Sequence, residues 1–181
     1  MKKLITLTFS LLCICTLSFG QYYYVKVAPV PGYNPGGLNN DNEYPNGGGL
    51  AAGWNSILGP SVISPAWSSN QSIPFNFNFN GSPVNQYTVS STGVLTFNVG
   101  ATTAPSSSNT ALPSGSIPDN SVCIWGIEAS GPNDEVLTKT FGSSPDRQHW
   151  VFFTSHSLNG GWCYWSIVME ESSDRIYIVD Q

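Results

Sequence analysis

The sequence predicts an all-β chain, an antiparallel β-sandwich of jelly-roll type, and three observations carry that prediction. The stretch Ile73-Pro74-Phe75-Asn76-Phe77-Asn78-Phe79 sets apolar residues at every second position, the period of a strand with one buried face. Roughly eight or nine short β-branched or aromatic runs succeed one another, punctuated by Gly, Pro and Asn. After Gly20 no stretch carries a helical period. Alternating short strands without helices favour two packed antiparallel sheets, and the lack of internal repeats argues against a propeller or solenoid.

In chain order, Lys2 and Lys3 precede the apolar run Leu4 to Phe19, with the small residues Ser18 and Gly20 ahead of Gln21. Residues 1–20 are therefore expected to be a secretory signal peptide. The run is short for a membrane span, and no later apolar stretch is long enough, so none is expected. Tyr22 to Val30 makes one strand at most, closed by Pro29 and Pro31, and the Gly/Asn-rich loop that follows completes an N-terminal region of residues 21–53. A loop of that length is usually functional or disordered.

The sandwich domain is expected over residues 54–181. Its first clear strand is Ile73 to Phe79, followed by a hairpin of Val84 to Ser90 and Val94 to Asn98 around Ser91-Thr92-Gly93. Beyond the polar stretch Gly100 to Asn120 come Val122 to Ile127, Val136 to Phe141, His149 to Ser155, Tyr164 to Glu170 and Arg175 to Val179.

The 181 residues hold 6 Lys and Arg against 11 Asp and Glu, for a net charge of −5. Past the signal, the cations are Lys26, Lys139, Arg147 and Arg175. That leaves no basic patch for phosphates, so nucleic acid is not an expected partner. The polar surface must come from Asn, Ser, Thr and Gly, a composition shared by extracellular β proteins and adhesive surfaces. Of 4 cysteines, Cys13 and Cys15 sit in the signal; Cys123 and Cys163 remain, each inside a strand-like run. In an oxidising compartment they are expected to form one disulfide, stabilising the fold by roughly 2–4 kcal/mol.

Catalytic motifs are absent: no Gly-x-Ser-x-Gly, no His-Glu-x-x-His, no phosphate loop, no Cys-x-x-Cys. His149 and His156, seven positions apart, fall on opposite faces of a regular strand, which is poor geometry for a shared metal. Glu128, Glu170 and Glu171 stand at strand ends, where a glycosidase pair would need two acids facing across a cleft; they read as solvated or salt-bridged acids. Arg147 reads as structural, its guanidinium suited to clamping a strand-end carboxylate such as Glu170.

Asn39, Asp41 and Glu43 alternate oxygen-bearing side chains in the Gly-rich loop, as calcium sites do. Tyr44 and Leu50 occupy positions where an EF-hand loop needs its glycine and final acid, so calcium of another type is the sole cofactor reading. Among 6 tryptophans, Trp54, Trp67 and Trp162 are candidate platforms for a glycan. Trp162 and Tyr164 share one strand face, Cys163 and Trp165 the other.

The run Gly36-Gly37-Leu38-Asn39-Asn40-Asp41-Asn42-Glu43-Tyr44-Pro45-Asn46-Gly47-Gly48-Gly49-Leu50, then Ile73-Pro74-Phe75-Asn76-Phe77, Val89-Ser90-Ser91-Thr92-Gly93-Val94-Leu95-Thr96-Phe97 and Pro145-Asp146-Arg147, together resemble a known group. They look like the N-terminal β-sandwich modules of exported, often type IX-secreted cell-surface proteins of Bacteroidetes-type bacteria. The resemblance covers most of the chain past residue 20 and implies a fold and a compartment more than an activity. Such proteins carry further domains and a C-terminal sorting module, whereas this sequence stops at Gln181, directly after a strand.

The expectation is thus an exported, non-catalytic binding or adhesion module in the periplasm, at the outer cell surface or outside the cell. Its partner would be an extracellular glycan or a surface protein. Two alternatives stand beside it: a polysaccharide-acting hydrolase or its accessory domain, and a truncated structural remnant of a larger surface protein. The first needs two acids within about 10 Å of each other in a groove; the second needs an unpaired sheet edge at Arg175 to Gln181.

Overall fold

A computed structural model describes residues 53–60 and 62–180. The expected signal peptide, the N-terminal strand and loop through residue 52, and the calcium candidates Asn39, Asp41 and Glu43 lie outside the described residues. Within them run nine strands: β1 (Asn55–Leu58), β2 (Gln71–Phe79), β3 (Ser82–Val89), β4 (Val94–Thr96), β5 (Ser121–Cys123), β6 (Glu135–Phe141), β7 (Gln148–Leu158), β8 (Gly161–Glu170) and β9 (Arg175–Asp180). They form a five-stranded sheet in the order β1-β6-β7-β8-β9 and a four-stranded sheet in the order β2-β3-β4-β5, with every pairing antiparallel.

The two packed sheets make the predicted β-sandwich. The likeness to a jelly roll lies in this two-layer antiparallel architecture; the connectivity is two meanders, with β1 beside β6 as the only non-consecutive neighbours among the described strands.

Each element follows from its local sequence. Along β2 the alternation sends Ile73, Phe75 and Phe77 into the core and leaves Asn76 and Asn78 exposed. Gly93, at φ 88°, closes the β3–β4 turn in a region where a side chain would be strained. Strand β1 was not foreseen, because four residues are too few to display a period.

β5 stops at Cys123, short of the expected Ile127, because the chain there changes sheets. Ile124 N–H is taken by Gly93 carbonyl (3.0 Å), and Glu128 then exchanges two backbone hydrogen bonds with Ser157 at the tip of β7 (3.0 and 2.8 Å).

The core between the sheets contains Phe75, Phe77, Tyr87, Leu95, Ile127, Phe153, Ile167 and Met169. A second apolar cluster, with Leu137, Trp150, Phe152, Val168 and Val179, lies on the opposite face of the five-stranded sheet. β7 is therefore buried on both faces over nine consecutive residues, Gln148 to His156.

One polar chain crosses the interior: Tyr87 Oη meets His149 Nε2 at 2.7 Å, and His149 Nδ1 meets Thr140 Oγ1 at 2.8 Å. Burial lowers the His149 pKa to about 4 and raises that of Tyr87, so both groups are neutral near pH 7.

The expected disulfide is not formed. Cys123 and Cys163 are both free. They lie on strands of different sheets, and the Cys163 thiol donates to the His156 carbonyl at 3.2 Å. Burial, with Asp180 and Asp134 adding to it, pushes that thiol up to about 12, leaving it protonated and unreactive.

Arg147 clamps Glu171, not Glu170. Its Nε and Nη2 donate to the two carboxylate oxygens at 2.7 and 2.6 Å, and Nη1 reaches across to the Pro74 carbonyl at 2.9 Å. The Arg147 hydrogen bond holds the Glu171 carboxyl down to about 2. Asp174 contacts the same outer strand, accepting from Asn78 N–H (2.8 Å) and Asn78 Nδ2 (2.9 Å). Two side chains from loops bordering the large sheet, Arg147 before β7 and Asp174 in the β8–β9 turn, thus occupy backbone groups on the free edge of β2.

Candidate functional site

The sequence-predicted tryptophans separate sharply. Trp54 is core, with 2% of its surface exposed and its ring edge-on to Phe141 at 5.6 Å and near Phe152 at 6.0 Å. It cannot serve as a ligand platform; it precedes β1, whose pairing with β6 carries it onto the apolar outer cluster. Trp67 is half-buried and held by a backbone bridge to Ser90, its indole N–H buried without a hydrogen-bond partner. Trp162 is the reverse case, with 80% of its surface exposed.

Register explains what surrounds Trp162. The β7–β8 hairpin turns at Asn159 (φ 50°) and Gly160 (φ 81°), and Trp162 stands directly opposite Ser157. Ser157 is in turn paired with Glu128. Residues opposite one another in a ladder project to the same face, so Glu128, Ser157 and Trp162 form one row across the tip.

Glu128 is anchored from a neighbouring loop by the Ser107 hydroxyl, which donates to its Oε1. The loop itself is fixed by Gly126 N–H donating to Asn109 Oδ1 at 2.8 Å and by Thr92 Oγ1 donating to Pro105 carbonyl at 2.8 Å. At Gly126 the approach is so close that a Cβ would stand 2.0 Å from the Ser107 carbonyl oxygen. The result is an exposed indole in one row with the Ser157 hydroxyl and with a Glu128 carboxylate held by Ser107.

Trp125, next to Gly126, is a second exposed ring at 54%, and sequence reasoning passed over it. Reading Val122 to Ile127 as one strand gave Trp125 no distinct role; the strand ends at Cys123, and the signal that could have found this is the glycine at 126 inside the expected run.

The histidines also differ from expectation. The β7–β8 register shifts between Phe153 and His156, with Ser155 at φ 57°, and this bulge inverts the alternation. His149 and His156 consequently both turn into the sandwich. His156 is fully buried, with Nδ1 against Thr154 carbonyl at 2.9 Å and Nε2 without a partner. No group of three or more His, Cys, Asp or Glu among the described residues is arranged to hold a metal.

The acids do not converge. Glu170 is paired with Gln148 and Glu128 with Ser157, at opposite ends of β7, a separation of about 30 Å at the usual rise per residue. Burial works against ionisation of Glu170, yet hydrogen bonds from Ser173, Tyr177 and Gln148 lower its pKa. Glu171 is consumed by Arg147. Glu170 and Glu171 therefore make no two-carboxylate hydrolytic pair with Glu128.

Among the described residues no helix is long and apolar enough to cross a membrane. No curated protein and no solved structure gives a significant match to the chain. A family model described as NIDO related matches residues 61–179, about two thirds of the chain and nearly the whole two-sheet domain. The chain belongs to the NIDO-related family, a family of extracellular-type modules.

Proposed function

We propose that this protein is an exported, non-catalytic adhesion module that engages a neutral extracellular glycan at the tip of the β7–β8 hairpin. The supporting observation is Trp162, a large apolar ring at 80% exposure on a backbone that is otherwise well ordered by pairing. Such a flat aromatic surface is the shape that the C–H face of a pyranose covers. Glu128, Ser157 and Ser107 stand beside it as hydrogen-bond partners for sugar hydroxyls.

Neutrality follows from charge. Of the described cations, Arg147 is committed to Glu171, Arg175 stands opposite Glu170 in the β8–β9 register, at the far end of β8 from Trp162, and Lys139 lies 4.8 Å from the Phe141 ring. Glu128 and the net charge of −5 would repel an acidic polysaccharide. Export fits the extracellular type of the family, and the resemblance to surface modules of Bacteroidetes-type bacteria fits a site of action at the outer face of the cell.

Affinity electrophoresis through gels containing soluble neutral polysaccharides (a β-glucan, a xylan and a mannan) tests this. The expected result is retardation in at least one gel, abolished by Trp162→Ala, with the thermal midpoint of that variant unchanged. Equal mobility in every gel, or retardation indifferent to both Trp162→Ala and Glu128→Gln, would overturn the proposal.

A further inference from the structure

Four strand edges flank the two sheets. β1 has four residues and an irregular register, β5 has three, and β2 carries a proline and is covered by Arg147 and Asp174. β9 differs on every count: six residues, Arg-Ile-Tyr-Ile-Val-Asp, regular pairing to β8 along its whole length, no proline and no side chain hydrogen-bonded across its outer edge among the described residues. Proteins usually blunt such an edge.

The direction of its free groups follows from the ladder. Glu171 N–H donates to Arg147 carbonyl, so odd-numbered residues at this end of β8 aim their backbone at β7 and even-numbered ones aim at β9. Their partners Arg175, Tyr177 and Val179 face back toward β8. The N–H and C=O of Ile176, Ile178 and Asp180 therefore point outward.

We infer that this edge is a self-association surface, on which a second copy of the chain pairs its β9 antiparallel, about a two-fold axis through Ile178. In that register Ile178 meets Ile178, Ile176 meets Asp180 and every outward group is used, giving about six backbone hydrogen bonds. On the outer face Tyr177 sits opposite Val179, a favourable aromatic with β-branched pair. No like charges oppose each other, and the strand's own Arg175 and Asp180 cancel. Moving the axis to Tyr177 would set Asp174 against Asp180 and leave outward groups unpaired, which selects the Ile178 register. The resulting sheet is continuous across both copies.

Sedimentation velocity from micromolar to about 1 mM protein reads the equilibrium directly. The expected result is a monomer–dimer transition, with the amides of Ile176, Ile178 and Asp180 gaining hydrogen-exchange protection as dimer accumulates. Ile178→Pro removes an outward donor while sparing the groups bonded to β8, so it should yield a folded monomer. Asp180→Pro, at the strand end, gives the same readout should the first variant unfold. A monomer at all concentrations, a dimer of the native chain in which those three amides stay unprotected, or a dimer undiminished by Asp180→Pro would overturn the inference.

Discussion

The buried Tyr87–His149–Thr140 chain makes the stability of this protein depend on pH in a defined window. In the neutral imidazole one ring nitrogen donates and the other accepts, which satisfies both contacts at 2.7 and 2.8 Å. Protonation turns both nitrogens into donors. Whichever of the Tyr87 and Thr140 hydroxyls donated to the ring must then accept, and its own proton loses its partner, inside a core where burial already disfavours the cation. The His149 pKa accordingly falls from 6.5 to about 4. Between those values the unfolded chain binds more protons than the folded one, so stability rises with pH across the window and is lost as pH falls toward 4. The shift corresponds to about 3 kcal/mol.

Urea unfolding at pH 7.0, 5.5 and 4.0, in the native protein and in His149→Gln at matched ionic strength, isolates this contribution. His156, also lowered by burial although the Thr154 carbonyl and Asp134 oppose it, loses stability in the same direction; it is present in both proteins and cancels in the difference. The stability difference should shrink by about 3 kcal/mol on acidification. Two parallel pH profiles would show that His149 does not resist protonation and would refute the reasoning.

Gly126→Ala should destabilise by about 1–3 kcal/mol and disorder the Ser107–Glu128 contact, since the added Cβ meets backbone at 2.0 Å; urea unfolding measures it, and a neutral effect would contradict the packing described. Asp174→Ala should accelerate hydrogen exchange at the Asn78 amide specifically, because Asp174 is its acceptor. Arg147→Ala should lower the thermal midpoint, and the loss should fade as pH drops from 4.5 toward 2, because the Glu171 carboxylate that Arg147 stabilises is then protonated. Alkylation under non-reducing, denaturing conditions followed by peptide mapping should label both Cys123 and Cys163, and reductant should leave the thermal midpoint unchanged.

What the sequence revealed tracks how far each feature depends on neighbours along the chain. β2 was legible because its Phe and Asn positions alternate without interruption, and Gly93 marked the β3–β4 turn for the same local reason. The disulfide failed because a strand-centred cysteine says nothing about what its side chain will meet: both are free, and the Cys163 thiol donates to the His156 carbonyl. Trp54 read as free because it follows glycines, yet the pairing of β1 with β6 buries it. The histidines were misplaced by a bulge that a period-two rule cannot anticipate. At the tip, Trp162 could be assigned a face but not an exposure, and the row it forms with Ser157 and Glu128 depends on a bridge between residues 29 positions apart.

The closure of the β2 edge has a consequence for how far association can spread. Filaments grow when a subunit offers two complementary sticky borders, so that each addition regenerates the one it consumed. Here one long border is plugged by Arg147 and Asp174, and the remaining ones besides β9 are a few residues long. Among the described residues this amounts to a valence of one: two copies joined β9 to β9 about a two-fold axis use up that edge on both. The same plugging residues that fasten the two sheets together thereby protect an Asn- and Phe-rich strand from becoming the seed of an aggregate.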